Sequence, residues 1–216
     1  MIKSLITQST YNEIQIGLFV DHSLQEQIHI PKTEASKLLI LSIQNLLNHH
    51  DLSCENLDFI GSNQGPAPFT TLRVLIATIN GIAFASNVPL VGVDGLKAFL
   101  YETENKAYPQ TIILLNAFNK EVYYAYHYQK EIVTGYQKIE ILLEKIKTIM
   151  PQETICFLGN GAILFQESIN KTFSKQAFIP EPTPEFPSLE SILKEAFKLF
   201  EKKQLSHQLQ PLYLKK

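Results

Sequence analysis

The amino-acid sequence predicts an internally duplicated α/β fold in two lobes. Three observations lead there. Period-2 and period-3.6 apolar patterns alternate along the chain, the same order of elements occurs twice, and a proline-rich connector precedes one last amphipathic helix. At 216 residues, 45% hydrophobic and 19% charged, the chain can bury one sizeable core or two small ones without cross-links.

The first block opens with strands predicted over 4–9, 13–21 and 24–30, with turns at Asn12 and at Asp21, His22 and Ser23. In the second of these, alternation puts Ile14, Ile16, Leu18 and Val20 on one face. A helix follows over 34–49, where Leu38, Leu39, Ser42, Ile43, Leu46 and Leu47 form an apolar stripe. A strand over 57–62, a proline-rich turn, a helix over 71–86 and a strand over 88–93 complete the block. The second block repeats the phrase, with strands over 111–116 and 121–128, a short third strand at 131–133, a helix over 137–149 ended by Pro151, and a strand over 154–158. Four prolines within residues 180–187 demand an extended connector, and a helix over 188–202 follows with Ser188 as its N-cap. The expected division is a first lobe over 1–103 and a second over 104–216, with the last helix or tail as the segment able to pack back on the first lobe.

Composition narrows the function classes. A net charge of −2 with scattered lysines lacks the basic footprint of an autonomous nucleic-acid binder. The two cysteines, Cys54 and Cys156, stand alone with no CxxC pair and suit reduced core thiols. The first ten residues lack the sustained apolar run of a signal peptide. The run over 72–85 is interrupted by Arg73, Thr78, Asn80 and Gly81 and falls short of the roughly 20 residues of a membrane span. A soluble cytoplasmic protein with no membrane association is the expectation.

Chemistry-bearing constellations are sparse. None of the six histidines has a second one four residues away on a helix face, no nucleophile elbow occurs, and no acid pair stands out. The turn Gly159-Asn160-Gly161 could bring amides to a ligand, though it also reads as an ordinary strand-to-helix connector. The loop with Gly65, Pro66, Phe69 and Thr70 leads into a helix that Thr70 or Thr71 can cap. That helix is apolar nearly all round. Leu72, Leu75, Ile76, Ile79 and Ala83 suit its own sheet, whereas Ala77, Gly81 and Ala85 line up at every fourth residue and let another helix approach closely.

The run over 63–96, NQGPAPFTTLRVLIATINGIAFASNVPLVGVDGL, resembles the signature region of the TsaB (YeaZ) family, whose usual form is close to GPGSFTGLR followed by a small-residue helix. Fainter likeness extends to Asn116-Ala117 with Glu121 to Ala125, to Leu158 to Ala162, and to the tail Pro211-Leu212-Tyr213-Leu214. The resemblance implies an actin-like, Hsp70-like (ASKHA) duplicated fold. It also implies a partner subunit, without catalytic residues, metal or cofactor of its own, that pairs with a TsaD-like catalytic subunit. Together with a TsaE-like ATPase, that pair transfers a threonylcarbamoyl group to N6 of an adenosine next to the tRNA anticodon, and tRNA meets this chain only through the complex. The implied interface lies on the two helices of the first lobe, with Leu39, Ser42, Ile43, Leu46, Arg73, Ala77, Gly81 and Ala85 as its residues. In isolation the same face would favour a homodimer. Two other readings follow from the superfamily: a peptidase-like (glycoprotease) enzyme, and a degenerate nucleotide-binding relative of sugar kinases.

The sequence departs from the family pattern in places. Gln8 stands where an aspartate usually ends the first strand, and a neutral amide is a poor Mg²⁺ ligand beside a carboxylate. Ala67, Pro68 and Thr71 replace Gly, Ser and Gly, which stiffens the loop.

Overall fold

A computed structural model describes residues 1–103 and 110–215. The elements run in order β1 (Lys3–Ser9), β2 (Glu13–Val20), β3 (Ser23–Pro31), α1 (Ala35–His49), β4 (Phe59–Asn63), α2 (Phe69–Ser86), β5 (Leu90–Val93) and α3 (Gly95–Thr103). There follow β6 (Gln110–Asn116), β7 (Glu121–Tyr128), β8 (Glu131–Lys138), α4 (Ile139–Ile149), β9 (Ile155–Leu158), α5 (Asn160–Leu164), α6 (Gln166–Phe173), β10 (Ala177–Phe178) and α7 (Leu189–Glu201). They form two compact units. One comprises Met1–Gly95 with Ser188–Tyr213, and the other Leu96–Pro187 with the residues from Leu214 onward. Thus residues 96–103, expected in the first lobe, fall in the second unit, and α7 belongs to the first.

Each unit is built on a five-stranded mixed sheet, and the two sheets have the same topology. The strand orders are β3-β2-β1-β4-β5 and β10-β9-β6-β7-β8. In each, the first strand in sequence sits centrally, pairs antiparallel with a meander of two strands on one side and parallel with two strands on the other. The parallel side needs a helical crossover and the antiparallel side only tight turns, which is why the repeated sequence phrase has its helices after the third strand. The internally duplicated α/β architecture predicted from the sequence is therefore present, in keeping with the ASKHA-type fold that the family resemblance implied.

In the first unit, Leu5, Ile14, Ile16 and Leu18 of the sheet meet Leu39, Ile43 and Leu46 of α1 and Leu72, Leu75 and Ile79 of α2 in one core. The opposite face of that sheet receives α7, which touches β1, β2, β4 and β5. Small residues make the approach possible: a Cβ on Gly61 would stand 2.7 Å from Ile6 and 3.0 Å from Ala196, so only a glycine lets the helix settle there. Ser188 caps α7 as expected, its hydroxyl accepting from the Ser191 amide at 3.1 Å. In the second unit, Ile112, Leu114 and Phe157 pack with Leu142, Leu143 and Ile146 of α4 and with Ile169 and Phe173 of α6.

The structure corrects several boundaries. β8 runs on to Lys138 because Gln137 and Lys138 pair with Val122 and Glu121, so the ladder takes residues that apolar spacing had given to the helix. Helix α2 starts at Phe69 with Pro68 in the cap position and no side-chain cap, so Thr70 and Thr71 lie within the helix. Helices α3, α5 and α6 and the two-residue β10 are additions to the predicted set.

Candidate partner-binding face

Helix α2 is long and apolar enough to cross a membrane by length and mean hydropathy, at 18 residues and 1.4. Its location explains that composition. Leu72, Leu75, Ile76, Ile79 and Ala83 are buried against the sheet. One flank meets α1 near Ile82, where Ile40, Ile43, Leu47, Leu52 and Cys54 line an apolar groove of about 400 Å³. The other flank meets the C-terminal tail: the Asn80 carboxamide donates to the Leu209 carbonyl at 3.0 Å and accepts from its amide at 2.8 Å. Between the two flanks Arg73, Ala77, Gly81 and Ala85 are exposed in a single line. Phe84 stands beside them at 88% exposure. A Cβ on Gly81 would meet nothing within 4 Å. The small-residue edge is therefore open, and α1 packs beside it without covering it.

The residues expected on α1 divide. Leu39, Ile43 and Leu46, each 1% exposed, lie in the core, and Ser42 is half-buried. The reason is that the stripe they form is the face α1 has for its own sheet. The apolar side chains that α1 presents outward are Leu38, Ile40 and Leu41, at 40%, 62% and 55% exposure. Single exposed apolar residues carry little signal in a sequence, because only packing reveals which helix face the sheet takes.

The loop before α2 is stitched to its surroundings. The Gly65 amide donates to Asn63 Oδ1 at 2.8 Å, and the Gly65 carbonyl accepts from the Gly95 amide at 3.0 Å. Gln64 binds the tail twice, its side chain donating to the Gln210 carbonyl at 2.7 Å and its carbonyl accepting from the Leu212 amide at 2.8 Å. Gly65 has φ +115°, a conformation that favours glycine, and both it and Pro66 are buried, whereas Phe69 and Thr70 are exposed. The loop is thus committed to internal bonds on its Gly65 side and open on its Phe69 side.

The end of β1 carries a polar cluster. Gln8, fully buried, donates to Gln15 Oε1 at 2.7 Å, Thr7 donates to Ser62 Oγ at 3.0 Å, and Gln15 donates to Glu13, whose carboxylate faces His29 at 2.8 Å. Hydrogen bonds from Gln15 and His29 outweigh the cost of burial and hold Glu13 below the usual carboxylate range. Among the described residues no three His, Cys, Asp or Glu side chains come together as a metal-holding group. In the second unit the Gly159 and Asn160 amides donate to the Pro184 and Glu185 carbonyls, so the proline connector closes over that turn. Gly159, at φ +96°, has no room for a side chain, since a Cβ would run into the Leu114 carbonyl.

Comparison with known proteins agrees with this architecture. Residues 29–208 match the family described as TsaD: tRNA N6-adenosine threonylcarbamoyltransferase. The tRNA threonylcarbamoyladenosine biosynthesis protein TsaB of Buchnera aphidicola subsp. Baizongia pistaciae is 24% identical over 190 residues, covering 82% of this chain and 81% of that protein. An uncharacterized Pseudomonas aeruginosa protein with similarity to peptidase YeaZ has the same fold at a TM-score of 0.76 and 19% identity, over 100% of both chains. A ROK family protein from Streptococcus pneumoniae follows at 0.53 and 9%, over 94% of this chain and 100% of its own. With the family match spanning most of its length and three curated relatives carrying the TsaB name, the chain belongs to the TsaD threonylcarbamoyltransferase family and, within it, to the TsaB (YeaZ) proteins.

Proposed function

We propose that this chain is the non-catalytic partner subunit of a cytoplasmic complex that makes N6-threonylcarbamoyladenosine on tRNA, and that it docks a TsaD-like catalytic subunit through the open face of α2. A TsaE-like ATPase completes that complex, and tRNA meets this chain only indirectly. The observation that carries the reading is the line Ala77, Gly81 and Ala85 with Phe84 beside it, exposed on a helix otherwise spent on the core. Small side chains let a second helix come close, and a protruding aromatic ring beside them supplies a residue to bury. Without its partner the same face pairs two copies of the chain, because a contiguous apolar surface self-associates.

Gly81→Arg is the decisive variant. The site is open, so the longer side chain fits the isolated subunit, yet it fills the space a partner helix needs. The variant is expected to melt like the wild type and to lose co-elution with the TsaD-like protein of the same organism on size exclusion. Unchanged co-elution would show that the partner docks elsewhere.

A further inference from the structure

Arg73 is the only arginine in the sequence; every other cation among the 19 lysines and arginines is a lysine. It is also the only charged residue of α2 and lies on the exposed line that runs on through Ala77 and Gly81. Its guanidinium carbon sits 3.7 Å from the Phe69 ring centroid and 5.6 Å from that of Tyr213. Its Nε donates to the Tyr213 hydroxyl at 2.7 Å, and the two rings lie 5.9 Å apart. Tyr213 is delivered by the tail that Asn80 and Gln64 hold in place. No carboxylate pairs with Arg73 among the described residues, and its terminal nitrogens have no acceptor there.

The geometry points to a carboxylate anchor: we infer that Phe69 and Tyr213 hold the Arg73 guanidinium flat and ready to take an aspartate or glutamate of the docking protein in a two-point hydrogen-bonded pair. This rests on the docking reading of α2 given above and names the chemistry the partner must bring to its Arg73 end. Three features favour a carboxylate. An unpaired cation at the end of an apolar docking face is costly to bury unless the incoming surface supplies the opposite charge. A fork of terminal N–H groups matches a carboxylate in a way that a lysine does not, and the chain uses lysine at all its other cationic positions. The two flanking rings and the Nε bond restrict rotamer freedom before the partner arrives, so less is lost on binding.

The test measures affinity of the full-length chain for the TsaD-like protein across a salt series, with melting curves to confirm folding. Arg73→Lys keeps the charge and loses the fork, and is expected to weaken binding by roughly 10-fold or more. Arg73→Gln is expected to weaken it further and to flatten its salt dependence, and Tyr213→Phe to weaken it by a few-fold, about what one positioning hydrogen bond supplies. Arg73→Lys binding as tightly as the wild type, or Arg73→Gln with an unchanged salt slope, would overturn the anchor. So would variants that hold the protein partner normally while their complex loses affinity for tRNA, since the guanidinium would then serve a phosphate. Gly81→Arg separates the two levels. If it abolishes binding while the Arg73 variants keep theirs, the anchor fails and the docking face stands; if the wild-type chain does not bind at all, both fall.

Discussion

Cys54 illustrates how a half-buried residue acquires its character from its neighbours. Burial, and then the adjacent Glu55 carboxylate, push its thiol up from the ordinary range, because both disfavour the thiolate. Thiolate is the reactive form, so a raised value means less of it at any neutral pH. In the native protein at pH 8, a colorimetric thiol reagent is expected to react with Cys54 more slowly than with a small free thiol, and the rate should climb as pH rises. Cys156 is fully buried and does not contribute until the chain unfolds. A fast reaction at neutral pH would mean that the groove beside α1 is more open to ions than its lining suggests. The burial of Cys156 could be read from its apolar context over 155–158. The graded exposure of Cys54 could not, since it depends on where α1 and Ile82 come to rest.

Within α2, Gly81 combines a liability with a use. Glycine in a helix interior costs about 0.5–1 kcal/mol relative to alanine, and nothing among the described residues packs against the site to offset that. Gly81→Ala is therefore expected to stabilise the isolated protein by about 0.5–1 kcal/mol in a denaturant titration. A loss of stability would mean that the backbone there is not relaxed helix. The stripe that α2 turns to its sheet was legible from i, i+3 and i+4 spacing, as was the small-residue line opposite. On α1 the family resemblance implied Leu39, Ile43 and Leu46 at the interface, and spacing could not correct it, because it shows that a stripe exists but not which of two neighbours takes it. Helix α6 escaped notice since only Ile169 and Phe173 are buried in it, too few for a period to show. Gln137 and Lys138 were lost to β8 for a similar reason: cross-strand pairing with β7 is a long-range effect that local pattern does not contain.

At the scale of the whole molecule, the duplication was the most legible property, because two sheets of identical order require the same sequence of periods twice. The last helix and tail were expected as the segment able to pack back on the first lobe, but the tail's particular partners were not legible, since its bonds to Gln64, Asn80 and Arg73 join residues more than a hundred positions apart. The same separation governs the helix that closes the first sheet. Residues Leu96–Pro187 form nearly all of one unit from a single continuous stretch, whereas the other waits for α7 to cover Phe59, Gly61 and Ile6. During synthesis the later half of the sequence can therefore mature before the earlier half, reversing the usual order from the N-terminus. Ribosome-bound chains with residues through Pro187 exposed are expected to resist protease over 110–187 and to be cut within Met1–Gly95, and resistance should spread to that older segment only after Glu201 emerges.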